Sequence, residues 1–153
     1  MPIDPKQAKA RTFPALSVDV ERGQLQFFAK ATASTNAVYS DVEAAKRAGY
    51  RDLPVPPTFF FSLELQSADT FGYLAELGAD LRRILHGEQE FTYHQLAYAG
   101  DTLSLQPRIV DVFSRRGGAL QFLVKQTSIT RGDEPIAEAK TVIVVRSQEV
   151  IDS

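Results

Sequence analysis

Residues 58–69, TFFFSLELQSAD, constrain this chain more than any other segment. Wound as a helix they are apolar almost all round, with Glu64, Gln66 and Asp69 as the polar exceptions. Such a helix cannot lie on a surface and has to be enclosed. Pro54, Pro56 and Pro57 precede it. Each removes a backbone donor and restricts its predecessor, so helix is forbidden up to Pro57 and opens at Thr58.

The second half of the chain supplies an enclosure. HGEQEFTYHQLA, TLSLQPRIVDVFSR, ALQFLVKQTSIT and PIAEAKTVIVVR are four strand candidates rich in β-branched and aromatic residues. RRGG at 115–118 and RGDE at 131–134 read as hairpin turns, and Gly100-Asp101 as a third break. Helices come first and a long antiparallel meander follows. That segregation predicts an α+β fold, a curved sheet packed on one buried helix. One sheet and one apolar helix leave a far face and edges uncovered, so a dimer is the physical expectation.

The rest of the N-terminal half reads as smaller pieces. Residues 1–11 are expected to be a loose lead-in, and 12–20 a short strand. Leu25, Phe28, Ala29 and Thr32 recur at helical spacing, which predicts a helix over 21–33 despite the cost of Gly23. Ser40 and Glu43 fit a capping box for a helix over 40–49, with Gly49 ending it in a left-handed turn. Residues 70–85 read as a loop plus a short helix around LAEL. One domain over 12–148 and a tail over 149–153 are expected from the 153 residues.

Composition narrows the chemistry. A net charge of -2 argues against wholesale nucleic-acid binding. The chain has no cysteine, which excludes disulfides, thiolate zinc sites and a cysteine nucleophile. Its two histidines, His86 and His94, exclude a histidine-rich metal site. The N-terminus lacks the apolar core of a secretory signal, and no apolar run approaches the ~18 residues of a membrane span. A cytoplasmic protein is expected.

Candidate site residues are few. His86 is read as starting the first long strand, either as a site residue near the helix or as a surface histidine. His94 is read as lying mid-strand on the face of His86, Glu88 and Glu90, opposite Phe91 and Tyr93, and a solvated face accounts for it and for Glu90. In ATASTNAVYS, residues 31–40, Ser34, Thr35, Asn36 and Tyr39 are the dense polar cluster of the N-terminal half. They either form a site or simply cap and turn. Arg115 and Arg116 either mark a hairpin tip or meet a phosphate-bearing carrier.

FFAKATASTNAVYSDVEAAKRAGYRDLPVPPTF followed by HGEQEFTYHQLAYAGDTL resembles the MaoC-like dehydratases, and more closely their N-terminal, FAS1-like dehydratase branch. The likeness runs over roughly residues 12–146. It implies a hot-dog fold, a long antiparallel sheet wrapped around a central helix. It implies reversible addition of water to trans-2-enoyl thioesters of coenzyme A or acyl carrier protein, giving (R)-3-hydroxyacyl thioesters, with no metal or redox cofactor. Active members resemble one another in a loop of the form GDxNPxH, whose Asp-x4-His pair does the acid–base work. Matching Asn36 to that loop puts Ser34 in the aspartate place and Tyr39 in the histidine place. Neither is a base near pH 7.

Three consequences follow from that departure. The chain is a substrate-binding subunit that pairs with a second hot-dog protein carrying Asp-x4-His; or a homodimer with a relocated site; or a catalytically silent acyl-thioester binder. In the second case His86 is the expected base, with Tyr39 or Asn36 orienting the water. The backbone N–H of Thr58, at the head of the central helix, would then polarise the thioester carbonyl. Pro57, Thr58 and Phe59 are the expected substrate contacts there, with Arg115 and Arg116 for the carrier. A cone-shaped α+β binder of apolar small molecules is the alternative outside the family. It fits the PPTFFF helix less well, since such cones leave a cavity where this helix sits.

Overall fold

The computed structural model describes residues 2–152. In chain order its elements are α1 (Pro5–Ala10), β1 (Leu16–Asp19), α2 (Arg22–Ala31), α3 (Val42–Arg47), α4 (Phe59–Glu64) and α5 (Gly72–Glu76). They continue with β2 (Ile84–Tyr93), β3 (Thr102–Arg115), β4 (Leu120–Arg131), β5 (Glu134–Arg146) and α6 (Gln148–Asp152). All strand pairs are antiparallel, in the order β1-β3-β4-β5-β2.

α4 is the enclosed helix. Phe59, Phe60, Leu63 and Glu64 are buried. Its regular part is shorter than the expected 58–69. After Glu64 the chain tightens into turns, with the Gln66 N–H bonding to Leu63 O and the Ser67 N–H to Glu64 O. Leu65 is 45% exposed there, so the segment has already left the core.

Three further expectations are corrected. The lead-in is not loose: Asp4 caps α1, and Ile3 and Ala8 are buried. The Gln121 side chain brackets Ile3, accepting from its N–H at 2.8 Å and donating to its carbonyl at 2.7 Å. At α3 the cap is Asp41, one residue after Ser40, accepting from the N–H groups of Glu43 and Ala44. The long strands are not one meander. β3, β4 and β5 follow one another, but β2 pairs with β5 and forms the outer edge. Residues 94–101 are too long for a tight hairpin. They cross over the core instead, with Val55 N–H bonding to Ala97 O and Ala99 N–H to Leu53 O.

The inward face of the sheet carries two apolar clusters. One joins Leu25, Phe60 and Leu63 to Leu103, Leu105 and Ile129. The other joins Ile3, Tyr73 and Leu74 to Ile109, Leu123 and Ile143. Between them β4 places Lys125 and Thr127 in the inward parity of Leu123 and Ile129. The core is therefore divided by a polar band.

Candidate functional site

The loop after α2 is built as a helix ending and a turn. Ala33 takes φ 54°, the left-handed position that closes a helix, and Ser34 N–H reaches back to Ala29 O at 2.9 Å. The Asn36 side chain accepts from Val38 N–H at 3.2 Å and caps a single turn over Ala37–Tyr39. Ser34 and Asn36 are exposed and Tyr39 is half-buried. Among the described residues, neither the Ser34 hydroxyl nor the Tyr39 hydroxyl makes a hydrogen bond.

His86 sits elsewhere, on β2. Its register pairing is with Ile143, whereas Glu88 pairs with Val142, so Gly87 is the extra residue of a bulge. The bulge breaks the expected parity. Ile143 lies in the inward cluster, and His86 therefore faces the helix side with Gln89, Phe91 and Tyr93, while Glu88 and Glu90 face outward. Gly87 allows this because a Cβ there would lie 2.8 Å from a Val144 methyl. His94 is past the end of the strand, exposed in a bend.

The His86 ring lies 5.4 Å from that of Phe61 on α4. Its Nε2 is 3.1 Å from the Glu88 carbonyl. A carbonyl only accepts, so Nε2 carries a proton, and in the neutral ring Nδ1 is the nitrogen with a lone pair. His86, Thr58, Phe61, Gln89, Phe28 and Phe91 line a groove of about 430 Å³. Thr58 N–H has no acceptor among the described residues, whereas Phe59 N–H is bonded to Pro56 O. Phe59 is buried, edge-on to Phe28 at 5.1 Å. Pro57 is exposed, and its carbonyl accepts from the Tyr93 hydroxyl at 2.8 Å.

Thus His86 and Thr58 come together, and Ser34, Asn36 and Tyr39 do not join them in this groove. Arg115 and Arg116 form an exposed hairpin tip; Arg115 lies over the Phe113 ring at 4.7 Å, and Arg116 takes φ 54°.

The polar band was not singled out from sequence. Glu64 Oε1 accepts from Thr127 Oγ1 at 2.5 Å and lies 3.9 Å from Lys125 Nζ. Lys125 Nζ also lies 5.6 Å from the Tyr73 ring. Tyr73 is 6% exposed, and its hydroxyl has no partner among the described residues. Burial, helped by the nearby Glu64 charge, pushes the Tyr73 phenol well above its ordinary pKa. A lysine and a threonine in the inward parity of an apolar strand, beside one glutamate in an apolar helix, are the signal that would have found this band.

Residues 7–139 match the family model described as FAS1-like, dehydratase domain region. A UPF0336 protein of Saccharopolyspora erythraea is 35% identical over 147 residues, covering 95% of this chain and 93% of that protein. A UPF0336 protein of Streptomyces coelicolor is 33% identical over 136 residues, 89% of this chain and 90% of that one. Among solved structures, a chain of the ChsH1–ChsH2 complex from Mycobacterium tuberculosis superposes with a TM-score of 0.76 at 22% identity, covering 93% of each chain. A chain of the HadBC (3R-hydroxyacyl-ACP dehydratase) complex from the same organism gives a TM-score of 0.73 at 28% identity, covering 87% of this chain and 92% of that one.

Proposed function

The chain belongs to the FAS1-like dehydratase-domain family within the MaoC-like hot-dog superfamily, and from that premise we propose that it is the substrate-binding subunit of a two-subunit acyl-thioester hydratase/dehydratase. The carrier is coenzyme A or acyl carrier protein. In the hydration direction a water oxygen bonds to C3 of a trans-2-enoyl thioester while C2 gains a proton. The second hot-dog subunit supplies the Asp and His that move those protons. This chain contributes the enclosed helix and the cavities beside it. No helix among the described residues is long and apolar enough to cross a membrane, which fits action on carried, water-borne thioesters.

One observation carries this reading. Ser34, Asn36 and Tyr39 stand where the resemblance would put a catalytic loop, and here that loop is an exposed, self-capped turn with no base. Losing a proton-transfer group costs typically 10²–10⁴-fold, so a complete site needs one from outside. The free edge of β2, ten residues long, offers a place for the second subunit. HadBC and ChsH1–ChsH2 are both two-component complexes by name, which adds support.

A second reading has its own observation: His86, whose Nδ1 makes no hydrogen bond among the described residues, lines the same groove as Thr58, whose N–H is unpaired among them. There a homodimer would use His86 as base and the Thr58 N–H on the thioester oxygen.

Reconstitution separates them. The chain mixed with a hot-dog partner carrying Asp-x4-His should hydrate enoyl-CoA, and the complex containing His86→Ala should retain kcat within a few-fold. A kcat drop of 100-fold or more in that complex, with His86→Ala still assembling, would overturn the subunit reading in favour of His86 catalysis.

A further inference from the structure

Two cavities meet at the polar band. One, of about 280 Å³, opens beside Arg11, Phe13 and Pro107. The other, of about 200 Å³, runs under α5 to Phe61 and His86. Glu64, Thr70, Tyr73 and Lys125 line both. His86 and Phe61 in turn line the entry groove with Thr58. The three spaces therefore adjoin in series, sharing walls from His86 on β2 to Leu16 and Leu105, where β1 and β3 pair.

The middle of that path is not built for hydrocarbon. Thr127 satisfies Glu64 Oε1, but Oε2 accepts no hydrogen bond among the described residues. The Lys125 ammonium makes none either; its contacts are the 3.9 Å ion pair and the Tyr73 ring. Glu64 is 8% exposed and the Lys125 side chain 13%, so these heads keep only narrow contact with water. A methylene chain threaded between them would strip their remaining water and return no hydrogen bond, which costs affinity. A carboxylate would satisfy Lys125 but confront Glu64. A ketone would serve Lys125 alone. A hydroxyl does both: it donates to Glu64 Oε2 and accepts from Lys125 Nζ.

We infer that the Glu64–Lys125 pair is a subsite for a neutral hydroxyl carried partway along the acyl chain, so that this protein selects hydroxylated acyl groups over plain ones. The inference rests on the acyl-thioester reading above. With the thioester set at Thr58, the contact the homodimer reading uses, Glu64 lies six residues on, about 9 Å along the helix axis. The hydroxyl therefore belongs well beyond C3, in the middle of a medium-length chain. Tyr73, with its unpartnered hydroxyl, walls the same subsite.

The test is binding by calorimetry to the full chain. The probes are dodecanoyl-CoA and the hydroxydodecanoyl-CoA isomers with the hydroxyl at each carbon from 6 to 10. At least one isomer should bind tenfold or more tighter than dodecanoyl-CoA. The Glu64→Leu/Lys125→Met double variant removes both charges together and so leaves no uncompensated buried ion. It should abolish or reverse that preference while still binding dodecanoyl-CoA. Equal affinity for all isomers and the plain chain in the wild type would overturn the subsite, whatever the variant does. A second arm removes the carrier: 2-octanol, soaked into crystals of the full chain, should place its oxygen between Glu64 and Lys125. Ordered 2-octanol there with no thioester binding would keep the subsite and remove the acyl-thioester reading. Thioester binding without hydroxyl preference, and with the alcohol absent, would keep that reading and overturn the subsite.

Discussion

At the scale of single residues, Asp101, read from the sequence as part of a turn break, is a structural pin. It ends the EFTYHQLAYAGD stretch and is 7% exposed. One oxygen takes Arg51 at 2.5 Å; the other takes Arg131 at 2.8 Å and Tyr98 N–H at 2.9 Å. Burial pushes its pKa up, but those three donors outweigh burial and hold it below the ordinary carboxylate value. Because the folded pKa is the lower one, its stabilisation is fully present above about pH 4 and is lost as pH falls through the folded value. Asp101→Asn should destabilise the chain by about 2 kcal/mol at pH 7. The difference from wild type should shrink below pH 4. Urea denaturation at pH 7 and pH 3 measures both, and a constant difference would contradict the account. In the Ser34, Asn36 and Tyr39 cluster, capping was legible beside a functional role, and the Asn36 side chain is the one that caps.

At the scale of elements, the enclosed helix and the strand-rich second half were legible, because an all-round apolar helix and β-branched alternation are local signals. The strand order was not, since nothing in residues 94–101 says which edge they reach. Nor was the face of His86, because one bulge residue inverts parity for everything after it. Gly87 is the residue that permits it. Gly87→Val should force the added side chain into Val144 and the Val142 carbonyl, destabilising by about 1–3 kcal/mol. It should also lift the His86 ring from Phe61. Denaturant melts and the aromatic contacts in NMR spectra would read the two effects; wild-type stability with the ring contact intact would contradict the bulge argument. Lys125 and Thr127 went unread in the sequence, because only the folding of β4 against α4 sets these two polar side chains beside Glu64.

At the scale of the whole molecule, one sheet holds one short central helix and leaves the outer edge of β2 unpaired. Leu85 is 47% and Tyr93 48% exposed on that strand, and Phe27 on α2 is 72% exposed. An unpaired edge with such side chains is what a second hot-dog unit would cover. Leu85→Glu should weaken assembly with the second subunit tenfold or more while leaving the melting temperature of the isolated chain within a few degrees. Sedimentation of the mixture checks it, and unchanged assembly would move the interface off β2. The central claim is that this chain holds the acyl thioester and borrows its base. Hydration of crotonyl-CoA and dodecenoyl-CoA by the purified chain alone, followed by loss of the enoyl absorbance, tests it most directly. The account predicts turnover at least 100-fold below that of the assembled complex, with thioester still bound. Robust turnover by the chain alone would contradict it.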